Sequence, residues 1–232
     1  MLYPYYFDPT YVLVLIGVVL SLAASAKVRS TFDKYSRVRS VSGMTGAEAA
    51  QRILQRAGIF DVQIEHVSGH LTDHYDPRRK VLRLSDPVYG SNSIAAIGVA
   101  AHECGHAIQH QTSYVPLMFR NSLVPIVNFG AAIAWPLILI GLLLAGSQTL
   151  INLGIILFSM AVLFQLVTLP VEFNASKRAI KRLGEAGILY GDELNYSKKV
   201  LNAAALTYVA AAATSILQLL RLIILFGGRR RD

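Results

Sequence analysis

The sequence predicts a mainly α-helical integral membrane protein. It has three clear transmembrane helices and a fourth candidate, and it carries a small α+β domain in which a β-hairpin precedes a helix bearing an H-E-x-x-H motif. Three observations predict this class. Of 232 residues, 53% are hydrophobic and only 16% are charged, too apolar a balance for a water-soluble domain of this length. The apolar residues gather into four long runs separated by polar stretches, and one polar stretch contains His-Glu-Cys-Gly-His at 102–106.

The first run, 11–26, is barely long enough to span a bilayer core of about 20 helical residues. It ends in "ASAK", but no basic residue precedes it and "KVRSTFDKYSRVR" follows it. These flanks are the reverse of a cleaved signal, so an uncleaved anchor with its N-terminus outside is expected. Thr45 and Glu48 form a capping-box pattern. Ala50, Ile53, Leu54 and Ala57 recur at helical spacing, and Gly58 stops the helix. "DVQIEHV" alternates like a strand. "HLTDHYDPRRKVLRLS" reads as two strands joined at Asp76-Pro77, because proline suits the second position of a tight turn. After a loop at "SDPVYGSNS", residues Ile94 to Gln109 are helical. The runs 123–146 and 149–169 are long enough to cross. The run 203–226 is weaker, being rich in small residues and containing Arg221.

Clustered Lys and Arg, here giving a formal charge of +8, can mark nucleic-acid binding, but their distribution argues against it. Twelve of the 22 basic residues lie in 27–120, six in 172–202 and none in the link at 146–148. That is the arrangement of orientation signals, so both polar segments should face the cytoplasm and the link the outside. "RRRD" at the C-terminus then falls outside, against the rule, if the fourth run crosses; three charges yield to eighteen. Five segments result: an anchor at 1–28, a cytoplasmic domain at 29–120, a transmembrane hairpin at 121–171, a cytoplasmic helical segment at 172–202 and a C-terminal apolar helix with a basic tail at 203–232.

The single cysteine, Cys104, excludes intramolecular disulfides and cysteine-based zinc fingers, which leaves histidine and carboxylate as metal ligands. At about 100° per residue, His102 and His106 lie roughly 40° apart on one helix face, and Cys104 points away. Both imidazoles can reach one ion, and Glu103 can accept a proton from a water that the metal acidifies. A catalytic zinc needs a third protein ligand. Two crossings joined by a short external link return the chain to the face it left, so "LPVEFNASKRA" emerges beside the histidine helix. With Pro170 restricting the chain, a helix restarting there would carry Glu172 in its first turn, where an acid near lipid requires a partner or a metal. His66, His70 and His74 are also four apart, but the break at Ser68-Gly69 makes them three separate polar histidines. One of these, or Tyr75 or Tyr89, could donate to the oxyanion of a hydrolytic transition state.

Three stretches, "LTDHYDPRRKVLRLS", "SIAAIGVAAHECGHAIQ" and "LPVEFNASKRA", together closely resemble the membrane zinc metallopeptidases of the bacterial YugP type, along nearly the entire chain. More distantly they resemble the HtpX and CAAX prenyl protease group of gluzincins. The resemblance implies a zincin-like domain in the bacterial plasma membrane, multi-pass, with one Zn2+ per chain and a peptide or protein as substrate. It implies that Glu172 of "EFNAS" is the third ligand beside His102 and His106, with Glu103 as the catalytic base. Ser176 stands where the distant group has an aspartate. The resemblance also implies that an edge strand before the metal helix pairs with extended peptide, which points to His74, Tyr75, Leu82 and Leu84 as substrate-binding residues. Three other readings make different demands. A zinc-bearing scaffold would close its site with a fourth ligand, and a metal transporter would carry ionisable residues within the middle two spans, which have none. An intramembrane site-2-type protease would need a spanning metal helix, yet only about eight apolar residues precede His102.

Overall fold

The computed structural model describes residues 8–144 and 146–227. It is mostly helical, with a small three-stranded sheet: α1 (Tyr11–Ser36), α2 (Gly46–Arg56), β1 (Gln63–Val67), β2 (His74–Asp76), β3 (Val81–Ser85), α3 (Asp86–Tyr89), α4 (Ile94–Gln111), α5 (Val115–Leu143), α6 (Gln148–Glu185) and α7 (Asp192–Phe226). The tail "RRRD" and the first seven residues lie outside the described residues. The chain divides into two compact units. One comprises Met1–Ala23, Arg120–Val167 and Val209–Asp232; the other comprises Ala24–Phe119 and Thr168–Tyr208.

All four apolar runs are helical, including the fourth, and α1, α5, α6 and α7 are each long and apolar enough to cross a membrane. Only 11 to 28% of the apolar window of each is buried within the protein. The side chains left outward, such as Leu15, Leu22, Phe129 and Ile156, require an apolar solvent. Within the first unit, small residues let helices approach closely. A Cβ on Gly154 would meet the Ala134 carbonyl oxygen at 2.8 Å, the close contact that drives helix association where no hydrophobic effect operates. Arg221, the charge that weakens the fourth run as a span, has partners. Its guanidinium donates to Asp8 Oδ2 at 3.2 Å and to Thr10 Oγ1 at 3.1 Å, and it lies 4.4 Å from the centre of the Tyr11 ring. A paired arginine costs much less in an apolar setting than a bare one.

The second unit holds a core of its own. The capping box of α2 is complete, Thr45 Oγ1 accepting from Glu48 N and Glu48 Oε2 from Thr45 N. The helix ends at Gly58, whose φ of +71° suits glycine. Its apolar face (Ala50, Ile53, Leu54) packs in one cluster with Ile97, Ala101 and Ile108 of α4. The hairpin forms as the sequence predicts. Asp76 pairs with Val81, and Asp76 Oδ1 accepts from the backbone N–H groups of Arg78 and Arg79 across the Pro77 turn. The sheet order is β1-β3-β2, with β1 parallel to β3. The expected strand β3 is therefore central, and only β2 and β1 are edges.

Pro170 does not restart a helix. It lies inside the continuous α6, which corrects the expectation that Glu172 sits in a first turn. A proline in a helix interior removes one backbone hydrogen bond at a cost of about 3 kcal/mol. Here Val171, Ala175, Ala179 and Leu183, four residues apart on one face, are all buried. Burial of that stripe holds the helix through the proline.

Candidate metal centre

Two helices of the second unit bring the centre together. α4 opens at Ser93, whose Oγ accepts from Ala96 N at 3.2 Å, and carries His102 and His106 one turn apart. α6 carries Glu172 next to its buried stripe. The helices touch at Gly105, inside the motif, where an added Cβ would stand 2.5 Å from the Ala175 carbonyl oxygen. Glycine in a helix interior costs about 1 kcal/mol, and here it permits the close approach of the two backbones.

His102 Nε2 lies 3.2 Å and His106 Nε2 3.5 Å from one and the same oxygen, Glu172 Oε2. The three ligand atoms all fall within 4.8 Å of one another. A tetrahedral ion bound at about 2.1 Å places neighbouring ligand atoms about 3.4 Å apart, so the spacing suits zinc. Glu172 is 3% exposed, and no lysine or arginine pairs with it among the described residues. A carboxylate so buried needs a cation.

The other imidazole nitrogens are occupied. His102 Nδ1 lies 3.1 Å from Ser176 Oγ, and His106 Nδ1 3.1 Å from Gln109 Oε1. Gln109 settles the tautomer of His106. Its Nε2 donates to the Val171 carbonyl at 2.8 Å and to Asn174 Oδ1 at 3.0 Å. Its Oε1 must therefore accept, Nδ1 of His106 must be the donor, and Nε2 is the nitrogen left for a metal. Burial alone would pull the His106 pKa down. The hydrogen bond to Glu172 and the charges of Glu103 and Glu172 outweigh it, so His106 holds a proton more tightly than an ordinary histidine. A site that draws in a proton in this way is one that favours a cation.

Glu103, next to His102, is buried and lines one cavity with His102, Glu172 and Ser176. None of the described hydrogen bonds or ion pairs engages it. Cys104 faces the core, its Sγ 3.6 Å from the Ala50 carbonyl, and burial pushes its thiol pKa far up.

The substrate-binding expectations fare differently. Leu82 and Leu84 are 0% exposed, packed in the core from the central strand. They cannot touch a peptide, and this corrects their assignment. His74 and Tyr75 are on the edge strand β2. His74 Nδ1 lies 2.8 Å from the Thr72 carbonyl, and Tyr75 OH 2.9 Å from His110 Nδ1. Burial, then the charges of Asp61 and Asp76, raise the Tyr75 pKa to about 12. His66 and His70 are apart from each other's partners. His66 pairs with Asp86 at 2.6 Å and packs on Tyr89, and His70 meets the Phe32 ring. Gln109 and Asn174 escape a reading of the sequence. The available signal is that 102, 106 and 109 follow the i, i+4, i+7 spacing of a single helix face.

The chain matches the family described as "Putative neutral zinc metallopeptidase" over residues 10–227. It is 56% identical to the "Putative membrane protease YugP" of Bacillus subtilis (strain 168) over 207 residues, 89% of this chain and 92% of that relative. No solved structure matches it. With two imidazoles and a buried carboxylate converging as a zinc site requires, and with the match running almost end to end, the chain belongs to this neutral zinc metallopeptidase family.

Proposed function

We propose that the protein is a membrane-anchored, zinc-dependent endopeptidase of gluzincin type that hydrolyses peptide bonds of membrane or membrane-proximal proteins, with its active site facing the cytoplasm. The observation that carries the reading is the convergence of two imidazole Nε2 atoms and one Glu172 oxygen beside a second carboxylate, Glu103, that none of the described hydrogen bonds or ion pairs engages. Three protein donors rather than four are what a catalytic zinc site uses. Bound by these three, zinc would polarise the scissile carbonyl and acidify a water. The chain's own groups do the rest. Ser176 and Gln109 hold the two rings with Nε2 forward. Glu103 takes the proton of the attacking water and passes it to the departing amine nitrogen, so the carboxylate is regenerated each turn.

Metal analysis and peptide cleavage by the purified protein in detergent test this. The parent should hold one zinc and cleave. Glu103→Gln should keep the zinc and lose cleavage by at least a hundredfold, and Glu172→Ala should lose the zinc. If Glu103→Gln cleaves like the parent, the assignment is wrong. Zinc held without cleavage by the parent would favour the scaffold reading.

A further inference from the structure

The cavity that meets the metal centre is lined by both polar and apolar groups. Beside His102, Glu103 and Glu172 stand Val99 of α4 and, on α7, the apolar Leu201, Ala204 and Ala205 followed by the hydroxyl-bearing Thr207 and Tyr208. Its volume is about 230 Å3. Pockets for whole drug-sized ligands begin near about 300 Å3, and an apolar cavity of about 150 Å3 accepts benzene. The space therefore fits one large apolar side chain. Among the described residues no lysine or arginine lines it, so an acidic side chain would be buried without a basic partner. Asp73 is already engaged, its carboxylate accepting from Ser85 N at 2.7 Å and Ser85 Oγ at 2.8 Å, and a basic side chain that paired with Glu103 would occupy the very group that has to take the water's proton. On the α7 wall, Ala204 and Ala205 contribute only methyl groups, and any larger residue there would occupy the space.

We infer that this cavity receives the substrate side chain adjoining the scissile bond, that it selects an uncharged residue of leucine to phenylalanine size, and that Ala204 and Val99 set that size. The inference rests on the peptidase reading. It makes substrate choice depend on α7, an element outside the H-E-x-x-H helix and outside the sheet.

The zinc-loaded full-length protein in detergent is titrated calorimetrically with hydroxamate-capped dipeptides carrying Gly, Leu, Phe or Asp at the position next to the hydroxamate. Burying a leucine side chain should make the Leu compound bind about tenfold or more tighter than the Gly compound, with Asp no tighter than Gly. Ala204→Leu should bring the Leu-to-Gly ratio close to one. Val99→Ala, which widens the facing wall and leaves α7 untouched, should move the preference towards Phe. Equal binding of Gly and Leu by the parent, or a ratio unmoved in both variants, overturns the inference. Hydrolysis of the corresponding peptides is measured alongside. A parent that shows the binding preference yet hydrolyses nothing counts against the peptidase reading and leaves the pocket in place.

Discussion

At the scale of single residues, the centre depends on side chains that would never touch an ion. Gln109 is fully buried and spends both ends of its amide, one on His106 and one on the backbone of α6 and Asn174. Ser176 Oγ, 3.1 Å from Nδ1 of His102, gives that ring a neutral partner. A neutral partner orients the ring without adding charge, so its effect on ligand basicity should be smaller than that of a carboxylate. Gln109→Ala and Ser176→Ala should each weaken zinc binding about 10- to 100-fold, read by competition with a chelator. Gln109 should cost more, since its loss also strands the Nδ1–H of His106 in the interior. Equal zinc affinity in parent and both variants would remove them from the design. Gln109 is hard to see in the sequence because a lone glutamine near a helix end is expected to point into solvent, and its second partner is 62 residues away.

At the scale of elements, the close approach of α4 and α6 is what turns two sequence motifs into one site. Gly105→Ala puts a methyl group against the Ala175 carbonyl. Backbone cannot give way as a side chain end can, so the helices must part, at about 1–3 kcal/mol and with zinc affinity lost together with stability. If Gly105→Ala keeps full affinity, that contact does not set the ligand spacing. The sheet contributes a pH dependence. Asp76 accepts backbone N–H groups from Arg79 and Arg78 and faces Arg83, which holds its pKa below the ordinary 3.8. A depressed carboxylate stabilises the fold above its unfolded value, and that stability drains as pH falls from about 4 through the lower folded value. Acid unfolding of Asp76→Asn should therefore be less steep in this window, and an unchanged slope would refute the link. The hairpin and its turn were legible because Asp-Pro and alternating side chains are local signals. The parallel pairing of β1 with β3 was not, since nothing local states which strand will be central. That one fact reverses the roles of Leu82 and Leu84. The continuity of α6 was hidden for a related reason: proline is a local signal to break, and it was outweighed by a stripe, Val171 to Leu183, whose burial depends on the rest of the unit.

At the scale of the whole molecule, the four membrane-length helices and the direction of insertion proposed for them both rest on composition, three of the four runs being plain in the sequence and the fourth weaker. Membrane spans need only length and apolarity, and each helix assigned to an apolar run meets both. Direction rests on the charge count alone: eighteen basic residues in the two polar segments against none in the link at 146–148. In the orientation proposed, four crossings would leave the link at 146–148 on the outer side and both metal-binding segments on the cytoplasmic side. Cysteine labelling can check this, because the one native thiol, on Cys104, is fully buried and has a strongly raised pKa, so it should stay silent. A cysteine at Ser147 should react with a membrane-impermeant maleimide on intact cells. A cysteine at Tyr190, 60% exposed between α6 and α7, should react only after the membrane is opened. The reverse pattern would place the metal centre outside the cell and change which proteins it can reach. Labelling of both positions on intact cells would mean that α6 does not cross, and the count of four would fall with it.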